Sequence, residues 1–222
     1  MTFGNARPAP DRRPPAAAMI ITISGQSGSG KTTVANGLGR RLGMPAVDVG
    51  SLFREMAAER GQDVIEFGAY AQKHPEIDRE LDRKMIELCR RRRNLILQGR
   101  LAGWMTKRGG IEAYRVWITA TDETRARRIA EREKIPFEQA YADTRRRDAD
   151  NHCRYQQTYG LDLNDLSIYD TVIRTDNLTV EEVVSALISE IQKVWPKKRK
   201  SKTSRRPKPP LKRRRRPANR AN

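Results

Sequence analysis

Two periods of hydrophobic patterning alternate along the middle of the chain. Residues 19–24 (MIITIS) form a short apolar, β-branched run that stops at a glycine. A continuous run of that length reads as a strand buried on both faces, the habit of a parallel sheet. Residues 94–97 (NLIL), 115–118 (RVWI) and 170–174 (DTVIR) read as strands too, and a shorter one falls before Gly50. The segments between them predict helices over 31–42 (closed by Gly43), 51–60, 63–73, 75–92, 121–133 and 137–159. A last helix opens at Thr179, where Thr179-Val180-Glu181-Glu182 has the form of a capping box. Its apolar positions, Val180, Val183, Val184, Leu187, Ile188, Ile191 and Val194, fall on one helical face. Alternating strands and helices predict the α/β class, a parallel sheet with helices on both sides. No internal repeat is visible.

The loop after the first strand changes the picture from fold to chemistry. Gly25-Gln26-Ser27-Gly28-Ser29-Gly30-Lys31-Thr32 fits G-x-x-x-x-G-K-[ST] completely, with a strand before it and a helix after it. Its glycines let the backbone curl round a phosphate with several N–H groups pointing inward. The following helix adds its N-terminal N–H donors, and Thr33 extends the same turn. Lys31 sets a cation against the β- and γ-phosphates, and Thr32 offers a hydroxyl to Mg²⁺. The motif implies a nucleoside triphosphate as donor and leaves the acceptor open.

Two arginines point to the acceptor. Ligands of an open parallel sheet sit at the C-terminal ends of its strands. Arg100 follows the strand 94–97, and Arg54 lies in the helix after the second short strand. The guanidinium fork suits a phosphate, so a phosphorylated acceptor is expected. Residues 121–159 interleave Arg125, Arg127, Arg128, Arg132, Arg145, Arg146, Arg147 and Arg154 with acids. They read either as a salt-bridged, solvent-facing helical pair or as a mobile lid that brings positive charge and excludes water.

Charge and composition then mark the boundaries. The 222 residues carry a formal net charge of +18, but 14 of the 45 Lys and Arg lie in 197–222, which has no acid. Residues 19–196 keep 28 basic against 26 acidic residues. Residues 1–18 (rich in Pro, Ala and Arg) and 197–222 are too poor in apolar residues to offset ordering entropy, so both are expected to be disordered. Met19, directly before the first strand, raises an alternative start there. The basic tail could hold nucleic acid by neutralising phosphates, independently of sequence. Cys89 and Cys153 make no C-x-x-C pattern, which argues against a zinc site or a disulfide framework and for a reducing, cytoplasmic setting. No apolar run approaches the roughly 20 residues of a membrane span. His74 and His152 lack a catalytic partner pattern. Trp104, Trp117, Trp195, Tyr155 and Tyr159 read as packing residues, and 90–93 as a solvated helix end.

Residues 20–33 (IITISGQSGSGKTT), 50–55 (GSLFRE), 67–83 (FGAYAQKHPEIDRELDR), 98–104 (QGRLAGW), 127–133 (RRIAERE) and 154–170 (RYQQTYGLDLNDLSIYD) together resemble archaeal-type cytidylate kinase, within the nucleoside monophosphate kinases. The resemblance covers nearly all of 19–196. It implies transfer of the γ-phosphate of ATP to CMP or dCMP with Mg²⁺, by a monomer. It implies a core sheet, a monophosphate-binding region around 50–92 and a lid around 121–160. By position, Arg54 and Arg100 would hold the acceptor phosphate. Arg128, Arg132 and Arg147 would act with Lys31 near the transferring group, and Asp170 would contact the nucleoside. The position before Gly99-Arg100 is usually acidic in this family, and here it is Gln98. Asp48, near the end of the second strand, is not expected to substitute for it. Adenylate or uridylate as acceptor stays open, as does a nucleic-acid-binding role led by the tail.

Overall fold

The computed structural model describes residues 19–92 and 94–194. Trp195, Arg93 and both expected tails, 1–18 and 197–222, lie outside the described residues. In chain order the elements are β1 (Met19–Gly25), α1 (Lys31–Leu42), β2 (Ala46–Asp48), α2 (Val49–Glu59), α3 (Val64–Lys73), α4 (Pro75–Arg91), β3 (Asn94–Gln98), α5 (Ala102–Arg108), β4 (Tyr114–Thr119), α6 (Asp122–Glu133), α7 (Phe137–Tyr159), β5 (Thr171–Arg174) and α8 (Val180–Val194). The five strands form one parallel sheet in the order β2-β3-β1-β4-β5. The expected α/β class is what the chain adopts. The sequence pattern had not shown α5, whose seven residues are too few for a clear 3.6-residue period.

Strand alternation sorts the core into two layers. Ile21 and Ile23 of β1 and Ile96 of β3 face α1 and α8, packing on Val34, Leu38, Val183 and Leu187. Ile20 of β1 and Leu95 and Leu97 of β3 face the other way, onto Met85, Cys89, Leu101 and Met105. Each such fully buried aliphatic side chain contributes about 1.5–3 kcal/mol relative to exposure. Two satellite clusters lie off the sheet. One, with Met56, Phe67 and Ile77, ties α2, α3 and α4 together. The other, with Ala126, Ile129 and Ala140, joins α6 to α7.

The capping box at the head of α8 is present. The Thr179 N–H donates to Glu182 Oε2 at 2.8 Å, and the Glu182 N–H to Thr179 Oγ1 at 3.3 Å. Val194 departs from its expected place on the buried face: it is the last residue of α8 and 60% exposed. Trp117 is buried and tilted against Tyr169, a packing residue as expected.

Candidate active site

The C-terminal edges of β1, β2 and β3 converge on the glycine loop. Gly25 ends β1 at φ +148°, and a Cβ there would lie 2.1 Å from the Ile118 carbonyl oxygen of the neighbouring strand. Gly28, at φ +78°, backs onto Arg125, whose carbonyl oxygen would be 2.7 Å from a Cβ. Both positions therefore admit only glycine without displacing backbone. The loop delivers its chain into α1 through Gly30, and the Val34 N–H closes the first turn on the Gly30 carbonyl at 3.0 Å.

Lys31 folds back so that Nζ donates to the Gln26 carbonyl at 2.7 Å. Burial, with the Arg100 guanidinium beside it, pushes this amine down to about 7, while Asp48 and Asp148 pull the other way. Arg100 donates to Ser27 Oγ at 2.6 Å, which holds its head against the loop. Arg128 of α6 donates to the Thr175 hydroxyl and carbonyl at 3.0 and 2.7 Å and reaches the Gly28 carbonyl at 3.5 Å.

Two cavities flank the loop. The first, about 420 Å³, runs from Ser27, Lys31 and Thr32 past Asp48, Gln98 and Arg100 to a slot between α4 and α7. The second, about 560 Å³, lies between the loop and α6 and is lined by Arg128, Glu131, Arg132 and Thr33 among others. Ser27, Lys31 and Thr32 line both.

The expected site residues divide into three groups. Of the loop, Ser27, Gly28, Gly30, Lys31 and Thr32 line these cavities with Thr33, Arg100, Arg128 and Arg132, although the Arg132 guanidinium pairs with Glu133 at 2.8 Å, while Gly25, Gln26 and Ser29 shape the loop behind them. Arg54 stays at the rim, 56% exposed and 3.5 Å from Asp48. Arg147 and Asp170 are not brought in. Arg147 is exposed on α7 and lines neither cavity. Asp170 precedes β5 at the opposite edge of the sheet, where its Oδ2 accepts the Arg115 N–H at 2.7 Å. A strand's first residues point away from the edge that carries the loop, so sequence position alone could not bring Asp170 to the site.

Several lining residues escaped sequence reasoning. Asp48 is the register partner of Gln98 across β2 and β3, so the two side chains share one strand edge. Asp78, Asp82, Arg154, Tyr155 and Tyr159 line the far end of the first cavity. Tyr155 and Tyr159 do pack on the core layer, as expected, and reach the cavity as well. The only available signal was that 67–83 and 154–170, the segments carrying these residues, stood out in the resemblance. Arg125 sits in the expected salt-bridged helical pair, yet it is 1% exposed and donates to the Ser27 carbonyl at 3.1 Å.

The set of oxygen donors around Thr32 suits a hard divalent cation. The Thr32 hydroxyl and the Gln98 amide make no hydrogen bond among the described residues, and both face the first cavity. Asp48 adds a carboxylate whose Oδ1 caps α2 at Gly50, 3.0 Å away. Among the described residues no cluster of three or more His, Cys, Asp or Glu could hold a metal by itself. Thr32, Gln98 and Asp48 therefore fit a Mg²⁺ that arrives with phosphate and water ligands.

A family model described as the cytidylate kinase-like family matches residues 20–177. The chain belongs to the cytidylate kinase-like family. It is similar to the cytidylate kinase of Halorubrum lacusprofundi, 45% identical over 173 residues that cover 78% of this chain and 89% of that one. Cytidylate kinase of Pyrococcus abyssi is 41% identical over 183 residues, covering 82% and 99%. Among solved structures the fold is similar to an uncharacterized protein from Eubacterium ventriosum (TM-score 0.62, 18% identity, 78% and 98% covered). It is also similar to shikimate kinase from Acinetobacter baumannii (TM-score 0.54, 16% identity, 81% and 96% covered). At those identities the two structures speak for the fold alone. No helix among the described residues is long and apolar enough to cross a membrane.

Proposed function

We propose that the chain transfers the γ-phosphate of ATP to CMP or dCMP, giving ADP and the cytidine diphosphate. The observation that carries this reading is the pair of cavities meeting at Ser27, Lys31 and Thr32. A donor entering beside Arg128 and Arg132 and an acceptor entering beside Arg100 would set their phosphates on opposite sides of the same three residues. Phosphoryl transfer is catalysed mainly by alignment and by positive charge around the moving group. Lys31 and the loop N–H groups hold the donor phosphates, Arg100 holds the acceptor phosphate, and Arg54 reaches in from the rim. Mg²⁺ held by Thr32, Gln98 and Asp48 would neutralise charge on the donor phosphates. The α2–α4 layer takes the acceptor. The α6–α7 pair acts as the lid, and its closure would carry Arg132 and Arg147 inward. The relatives named cytidylate kinase support cytosine over other bases.

A coupled ADP-release assay with CMP, dCMP, UMP, AMP and GMP as acceptors tests this. Preference for CMP and dCMP is expected. Equal or better turnover of AMP or UMP would overturn it.

A further inference from the structure

A third cavity, of about 730 Å³, lies on the next face of α4, where that helix meets α5 and the end of α7. Ile86 and Met105, half-buried and buried, form its floor, and Arg79, Arg83, Arg90 and Arg108 line it above them. Arg79 and Arg83 are one turn apart and Arg90 follows two turns on, so α4 presents all three along one side. These three arginines are exposed and make no hydrogen bond or ion pair among the described residues. Other cations of the same helix are matched: Lys84 pairs with Glu59 at 2.7 Å, and Arg91 pairs with Glu87. The acids of the lining are taken as well, Glu87 by Arg91 and Asp82 by the Tyr159 hydroxyl at 2.6 Å. A solvated helix face intersperses acids among its cations, since like charges one turn apart repel. Here the unpaired arginines gather over a concavity instead.

We infer that this groove is a second anion site, taking an oligophosphate, and that its occupancy is felt in the acceptor cavity through Arg108. Guanidinium forks bind phosphate oxygens in pairs, and several along one wall match a chain of phosphates. The volume is that of a small-ligand pocket rather than of an open track for a nucleic-acid strand. Asp82 and Tyr159 line both this groove and the first cavity, so their hydrogen-bonded pair is the wall between the two. Arg108 braces that wall from the groove side: its Nη1 donates to the Tyr159 carbonyl at 3.0 Å, and its guanidinium lies 6.0 Å from the Tyr159 ring centroid. An oligophosphate draws Arg108 away from both, which loosens the wall and weakens the hold on the acceptor. The anion site stands on this geometry alone, and its effect on CMP rests on the functional reading above.

The test compares the full chain with its Arg83→Gln/Arg90→Gln variant, using inorganic tripolyphosphate as the probe at constant free Mg²⁺. At saturating ATP the probe is expected to raise the KM for CMP in the parent. The variant, unchanged in its kinetics without the probe, should need about tenfold more of it for the same rise, because two charge-assisted contacts are gone. CTP used in its place tells a nucleotide from a bare phosphate chain: a stronger effect that the variant loses assigns the nucleotide, and an equal one the chain alone. Inhibition that is the same in both proteins, or that more ATP abolishes, would place the probe at the glycine loop and overturn the inference. An unchanged KM for CMP overturns the coupling. Calorimetric titration reads the site directly, the basic tail being common to both proteins: the variant should bind one tripolyphosphate fewer, and equal binding overturns the site. A parent chain that does not phosphorylate CMP overturns the functional reading and leaves the site to the titration. An oligouridylate should bind both proteins alike, and a loss of its affinity in the variant would assign the groove to nucleic acid instead.

Discussion

Replacing Arg125 with methionine should damage both stability and donor binding. The guanidinium is 1% exposed, and its Nη2 pairs with Asp122 at 2.6 Å and Asp148 at 2.8 Å. Its Nη1 supports the Ser27 carbonyl, so one side chain ties α6, α7 and the glycine loop together. Removing one partner of a buried ion pair costs about 3–5 kcal/mol, chiefly by stranding the other charge. Here the stranded carboxylates are not fully buried: Asp122 is 45% and Asp148 22% exposed, so both regain water. The change also relieves the buried Nε, which has no acceptor. The loss should therefore be about 2–3 kcal/mol, at or just under the low end of that range. For a chain of this size that lowers Tm by roughly 5–10 °C. Calorimetry on the full chain measures it. The KM for ATP should rise several-fold in the same variant, because the Ser27 carbonyl loses its donor. Asp148→Asn keeps a neutral acceptor and should cost about 1 kcal/mol. A Tm for Arg125→Met within 2 °C of the parent (roughly, from the same scaling), together with an unchanged KM for ATP, would refute the account of the loop's support.

Three further outcomes are expected. Gln98→Glu adds a charge beside Thr32 and Asp48 and should lower the Mg²⁺ concentration for half-maximal activity several-fold; an unchanged magnesium curve would show that Gln98 does not weaken metal handling. The kcat/KM for CMP should fall as pH drops through about 6, because the Asp82 carboxylate, raised by burial and facing Tyr159, Asp78, Arg108 and Arg154, then takes up a proton and the acceptor cavity loses a negative charge. Being ionised at pH 7 and mostly neutral at pH 5, it predicts roughly a tenfold fall between them, beyond the substrate phosphate's own titration near pH 6, which the Asp82→Asn profile isolates; coincident profiles would contradict it. A chain ended at Pro196 should keep CMP phosphorylation and lose salt-sensitive RNA binding, measured by filter binding; loss of catalysis would show that the division of the chain is wrong.

The donor half of the site was legible because it is local. Eight consecutive residues, a strand before and a helix after determine where every loop N–H points, and no distant contact is needed to state their chemistry. The acceptor half depends on pairing at long range. Arg154 and Asp78 are 76 residues apart, and the support behind the glycine loop is as distant, with Arg125 and Ser27 98 apart. In the sequence each of these arginines is one basic residue in a charged helix, indistinguishable from Arg127 or Arg145. What separates them is burial, and burial follows from which face of α6 or α7 meets the rest of the chain.

The misplacement of Asp170 has the same origin. A strand-like run shows that a residue is near a sheet edge, but only strand direction shows which edge. In a parallel sheet the chemistry gathers at the C-terminal edge, so the residue that opens β5 lies a strand's length from the residue that closes β1. Asp48 was undervalued for the converse reason. Its strand was read from the sequence, but three residues fix no register, and only the pairing shows that its last residue stands beside Gln98. A missing charge at one strand end is thus met by a carboxylate on the next. The Gln98→Glu magnesium curve therefore measures how far a neighbour's charge compensates for the one that this strand lacks.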